Sequence, residues 1–223
     1  MSDRDCCETT APSTTSTTTD DRWLAEDVMN APLPSDMKEY MSQFFGRETE
    51  TLDAFAVAIR EAAGGSGGDG DDPLTIENLC HAGVETPHRA TTADETYHFR
   101  CFYDGVALAH LTDEPVEIQT ESPAGELIEM SVSPNGDIDV TPADAVMSFG
   151  IATDVEESVD DTNAGPSIEE IVMKVMCPYV KAFPTRAAYE HWAESVDGMT
   201  VGMPLAAGMP IAAALTSESE SEG

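Results

Sequence analysis

Positive charge is what this chain of 223 residues has least of: 10 lysines and arginines stand against 43 aspartates and glutamates, a formal net charge of −33. Neutralising phosphates takes lysine and arginine, so nucleic acid is excluded as a partner. No apolar stretch is long enough to span a bilayer, and the first residues lack the basic segment and apolar run of a secretory leader. A cytoplasmic protein with no membrane partner is expected. Five cysteines, an odd number, make no disulfide framework by themselves; in a reducing compartment they are free thiols or ligands.

What the chain does have is 41% hydrophobic residues in patterned segments, which argues against disorder for most of its length. A charge of −33 repels itself out of a compact state in dilute buffer. The sequence therefore reads as a folded, halophilic protein suited to a cytoplasm of molar salt, where the Debye length falls to about 3 Å.

Residues 1–20, with the tract Thr14 to Thr19, read as a disordered tail whose Cys6 and Cys7 are an incidental pair. Residues 21–72 form a helical N-terminal region with an acidic linker, 73–215 the main domain, and 216–223 a second, acidic tail. Ser35 is placed to cap a helix running to Phe45 that Gly46 terminates. Leu52, Phe55, Ala56 and Ile59 recur at i, i+3, i+4 and i+7, a second helix that Gly64 and Gly65 end. Thr75 caps a short helix through His81. From residue 97 strand signals dominate: 97–102, 116–120 and 127–133, then a turn at Pro134-Asn135-Gly136 leading into 138–140, then 146–152. An acidic loop over 154–164 comes next, and the Val/Met/Ile content of 171–180 favours a strand with Cys177 inside it. Thr185 caps a helix carrying Tyr189 and Trp192, 199–203 is a last strand, and 205–215 a small-residue helix. The sum is an α+β fold with a mixed or antiparallel sheet and flanking helices.

The residues that carry chemistry are Cys101 and Asp104, in Cys-Phe-Tyr-Asp, and Cys177, in Val-Met-Cys-Pro-Tyr-Val-Lys-Ala-Phe. Two thiols grip a soft metal, and a carboxyl three residues from one of them can take its proton and give it back. A lone free cysteine is more often a small core hydrophobe. The aspartate, set between apolar Tyr103 and Val106, shifts that reading, because burial raises its pKa into the range useful for an acid that is protonated at one step and ionised at another. Cys177 lies among Val175, Met176, Val180 and Phe183, where a thiolate is costly unless a soft cation neutralises it. Cys80, next to His81, lacks a second Cys/His pair at zinc-ligand spacing and reads as a core or surface cysteine. His98, His110 and His191 are isolated, and Met199, Met203 and Met209 read as gap fillers.

Together these segments resemble the organomercurial lyase (alkylmercury lyase) family over residues 97–206. The resemblance rests on the strand ending in Cys101-Phe-Tyr-Asp104, Met130-Ser-Val-Ser-Pro134, Val175-Met-Cys-Pro-Tyr-Val-Lys-Ala-Phe183 and Tyr189-Glu-His-Trp192, arriving in that order. Arg100, before the first cysteine, stands where the family's pattern has an aromatic, and the N-terminal region is abbreviated. The resemblance implies protonolysis of carbon–mercury bonds with Cys101, Asp104 and Cys177 as the catalytic residues, Cys101 and Cys177 holding mercury, and no organic cofactor. It implies an organomercurial substrate, with thiols or a mercuric reductase accepting the Hg(II). The alternative is a non-catalytic soft-metal-binding or chaperone protein on the same fold, which keeps the thiols and has no use for Asp104.

Thermal and chemical stability are expected to rise with salt, with cooperative structure lost below about 0.5 M monovalent salt, where screening of a surface this acidic is incomplete. Circular dichroism against salt concentration measures it; a sharp transition retained in dilute buffer contradicts the halophilic reading.

Overall fold

In the computed structural model, which describes residues 19–64, 75–153 and 172–216, two helices open the chain. Helix α1 (Ser35–Phe45) buries Met37 and Met41, and Gly46 closes it in the left-handed conformation, φ 65°. The residue before the first turn is Pro34, not Ser35, and no side chain caps this end. Proline's fixed φ serves that position, which places Ser35 inside the helix. Helix α2 (Leu52–Gly64) buries Leu52, Phe55 and Ala56, and Thr51 caps it by accepting from the amide of Ala54 at 3.1 Å. Phe55 meets Phe149 edge to face with ring centroids 4.8 Å apart, which ties this N-terminal pair into the core of the rest.

The larger sheet has five antiparallel strands in the order β2-β1-β3-β4-β5: β1 (Arg89–Thr91), β2 (Thr96–His98), β3 (Val116–Glu121), β4 (Leu127–Val132) and β5 (Ile138–Thr141). Alternation makes it one-sided. Val116, Ile118 and Thr120 of β3 and Ile128, Met130 and Val132 of β4 point into the core, their neighbours outward. Gly136, at φ 85°, makes the turn into β5. The smaller sheet is β7-β6-β8, also antiparallel: β6 (Val146–Ala152), β7 (Ala182–Phe183) and β8 (Gly198–Pro204). Every residue of β6 is buried, since it is covered on both faces. Helix α4 (Arg186–Ala193) is capped by Thr185, whose hydroxyl accepts from Ala188, and α5 (Gly208–Thr216) lies against α2 and the helix over Tyr103–Leu111.

Three further expectations fail. The strand expected over 97–102 ends at His98, and the chain turns through Cys101 into helix α3 (Tyr103–Leu111). No helical period announces α3, because Asp104 through Ala109 are all buried and it has no solvent face in between. The segment 171–180 is not a strand: residues Val172–Met176 form a π-helical turn and Cys177–Tyr179 a 3-10 turn with Pro178 inside it. The helix expected from Thr75 to His81 is one 3-10 turn, Ile76–Asn78, since the Asn78 side chain accepts from the Thr75 amide and closes the turn at once. Residues 1–18 and 217–223 of the tails, the linker beyond Gly64 and the acidic loop over 154–164 lie outside the described residues, whereas Thr19–Arg22 form a 3-10 turn and Thr216 ends α5.

Two glycines dock the Cys177 turn onto the smaller sheet. A Cβ on Gly198 would stand 2.2 Å from Cε1 of Tyr179, and one on Gly150 would stand 2.8 Å from its Cβ, so the strands leave a notch that this side chain fills. Tyr179 donates to the carbonyl of Asp197 at 2.6 Å, and buried Ser148 donates to the carbonyl of Tyr179 at 2.8 Å. Gly198→Ala is expected to destabilise the protein by about 1–3 kcal/mol through overpacking, whereas Gly83→Ala, with open space around it, is neutral. Denaturant unfolding in molar salt compares the two.

Candidate active site

Asp104 sits in the first turn of α3, 9% exposed. Its Oδ2 accepts from the Cys101 thiol at 3.2 Å and its Oδ1 from the backbone amide of Cys80 at 3.0 Å. Burial raises its pKa above the ordinary carboxylate value, and the two hydrogen bonds, with nearby His81, oppose the rise without cancelling it. Cys101 is 4% exposed, held in the turn that joins β2 to α3. The sequence folds this way because the backbone 80–82 runs antiparallel to 98–100. Ala82 donates to His98 at 2.7 Å and Arg100 to Cys80 at 2.9 Å, with a bridge between His81 and Phe99. That short pairing sets Cys80 beside the Cys101–Asp104 turn.

Cys177 arrives from the other side of the molecule on its π-to-3-10 turn, a backbone irregularity of the kind that marks functional sites. Its thiol hydrogen-bonds with both Cys101 and Cys80; those bonds, and then burial, push its pKa far up. At rest it is a thiol. Asp104 thus joins two of the cysteines, the Cys101 thiol on one oxygen and the Cys80 amide on the other, and Cys177 is influenced by both of them. Among the described residues no group of three or more His, Cys, Asp or Glu is set to hold a metal ion. Tyr103, next to Asp104, donates to the carbonyl of Gly208 at 3.1 Å, and burial pushes its pKa well above the ordinary phenol value. It stays neutral beside the thiols.

The structure thus brings together Cys101, Asp104 and Cys177, the three residues singled out in the sequence. It also adds Cys80, which is neither core nor lone surface cysteine. No pattern in the chain marks it, because the segment 80–82 that pairs with 98–100 is too short to alternate. His81 sits at the rim, its ring 5.2 Å from that of Phe99 and 6.0 Å from that of Tyr97. His98 accepts from the amide of Thr86 at 3.3 Å, while His110 and His191 are exposed, away from the thiols. Arg100 is exposed too. Met199 and Met203 pack in the core, Met209 against it. Cys6 and Cys7 lie outside the described residues.

A family model described as MerB, alkylmercury lyase, matches residues 82–217, more than half of the chain; it takes in Cys101, Asp104 and Cys177 and begins just past Cys80. Among solved structures the chain is similar to the mercury-bound form of MerB2, at 16% identity and a TM-score of 0.45, covering 60% of this chain and 59% of that one. The chain thus spans less than two thirds of that structure's length. No curated protein matches it.

A buried carboxyl with a raised pKa costs stability at the pH where it is ionised. The folded pKa lies above the unfolded one, so the proton stabilises the fold below the unfolded value, and that stabilisation is lost as pH rises through the folded value. Asp104→Asn is therefore expected to melt at a higher temperature than the native chain at neutral and alkaline pH, with the advantage vanishing in acid below the ordinary aspartate pKa. Thermal melts against pH in molar salt read it; an unchanged or lower melting temperature at neutral pH contradicts the desolvation account.

Proposed function

The chain belongs to the alkylmercury lyase family, and from that premise we propose that it cleaves carbon–mercury bonds by protonolysis, releasing a hydrocarbon and Hg(II) in a mercury-detoxification reaction. The observation that carries the reading is the hydrogen bond from the Cys101 thiol to a buried Asp104, with the Cys177 thiol bonded to that same Cys101. A raised pKa makes Asp104 an adequate base toward a thiol whose proton it already shares.

In the first step Asp104 takes the proton of Cys101 as its sulfur bonds the mercury of R–Hg–X, where X is a thiolate. Cys177 adds as the second sulfur, and its proton leaves with X. The metal, now richer in electron density, holds carbon more weakly, and the carboxylic acid of Asp104 delivers its proton to that carbon. R–H departs and Hg(II) remains on two thiolates. One thiol proton ends on carbon and the other on X, so the balance closes with no redox change and no organic cofactor. The enclosure of Cys101 keeps bulk water from competing for the proton. Small thiols or a mercuric reductase accept the Hg(II) from a cytoplasmic protein. A metal-storage protein would need the sulfurs alone, whereas the desolvated acid is the part that a reaction uses.

Asp104→Ala is expected to lower hydrocarbon release by about 10²–10⁴-fold while Hg(II) binding persists; Cys101→Ala and Cys177→Ala each abolish turnover. Headspace gas chromatography of an organomercurial incubated with excess thiol in molar salt, beside a Hg(II) titration of each variant, makes the comparison. Equal hydrocarbon yields from the native chain and Asp104→Ala remove Asp104 from the mechanism, and no hydrocarbon from the native chain removes the reaction.

A further inference from the structure

The thiol that the proposed reaction leaves unused is Cys80. It is half-buried, like Cys177, whereas Cys101 is almost fully enclosed. Cys177 hydrogen-bonds with both. A cysteine serving only as a small core hydrophobe would be set against carbon, not against a second thiol that already has a thiol partner. Burial gives a direction as well, from the enclosed Cys101 to the half-buried Cys177 and Cys80. Soft metals move between sulfurs by stepwise exchange, and exchange needs an incoming sulfur within reach of the metal before the outgoing one lets go.

Resting on the lyase reading for where Hg(II) is formed, we propose that Cys80 is the exit thiol of this site, displacing Cys101 from the product Hg(II) and presenting the metal outward on Cys80 and Cys177. The step balances. A bond forms between Cys80 Sγ and mercury, the bond between Cys101 Sγ and mercury breaks, and the proton of the Cys80 thiol ends on Cys101 Sγ. Nothing is oxidised or reduced. Asp104, ionised once its proton has gone to carbon, has one oxygen at the Cys101 sulfur and the other at the Cys80 backbone amide, so it stands ready to accept from the Cys101 thiol when that thiol regains its proton. The exchange therefore does two things at once: it moves Hg(II) from a buried sulfur to a half-buried one, and it restores the Cys101–Asp104 pair.

Stoichiometric Hg(II) alone, loaded onto the native chain, Cys80→Ala and Cys80→Ser in molar salt, is challenged with dithiothreitol, and the mercury remaining on protein after rapid desalting is tracked in time. Release from both variants is expected to slow by about 10-fold or more at unchanged stoichiometry, in the range that groups adjoining metal ligands typically contribute. Cys80→Ser keeps size and polarity without a soft ligand, so native release from the serine variant alone would overturn the proposal, as would equal release from all three. Faster release from the variants would also overturn it, by making Cys80 a holding ligand. Hydrocarbon yield from the native chain is measured in parallel: its absence sinks the lyase reading, while the release rates, which need no carbon–mercury bond, still decide whether Cys80 passes the metal on.

Discussion

Everything at this site depends on one carboxyl taken out of water. Asp104 is almost fully buried, and a carboxyl in that position is tolerated because the Cys101 thiol and the Cys80 amide donate to its two oxygens. Those two donors fix where the rest must be. The amide brings the 80–82 segment against 98–100, the thiol fixes the turn into α3, and α3 in turn packs on the larger sheet, where a Cβ on Gly105 would stand 3.1 Å from Cγ2 of Ile118. A surface carboxylate would impose none of this.

The second half of the site is held by different means. Cys177 is carried on a turn with neither a strand ladder nor an α-helix to position it. Its place is set by neighbours on its C-terminal side: Tyr179 lies in the notch over Gly150 and Gly198, and Ser148 is bonded across to Tyr179 and Lys181. The smaller sheet thus acts as a template for one cysteine, and the larger sheet with α3 as a template for the acid and the other thiols. Both share one apolar core with α1 and α2.

Legibility in the sequence tracked periodicity. Strands β3, β4 and β5 could be read because one face is wet, giving Val116, Ile118 and Ile128, Met130 their alternation, and α2 because Leu52, Phe55 and Ala56 mark one stripe. Helix α3 could not be read that way, for its buried run from Asp104 to Ala109 has no polar face to set the period. Residues 171–180 misled through composition, since valine, isoleucine and methionine suit a strand, while Pro178 and the docking of Tyr179 impose a turn. At the site, Cys101 and Asp104 were legible from a local spacing and Cys177 from its motif. Cys80 was not, because its approach to Cys177 is a long-range contact that no spacing along the chain records. Pairing at 80–82 with 98–100, too short to alternate, is the missing link.

The hydrogen bonds among the thiols also bear on what happens when no mercury is present. Sulfurs close enough to share protons are close enough to be joined by an oxidant, and a site so joined would be lost until something reduced it. Attack by peroxide or by a disulfide, however, requires a thiolate. Cys177, with its pKa pushed far up by its two sulfur neighbours and by burial, offers almost none. At Cys177, therefore, ordinary oxidants find a poor nucleophile, while an electrophile able to polarise a neutral thiol still gains entry.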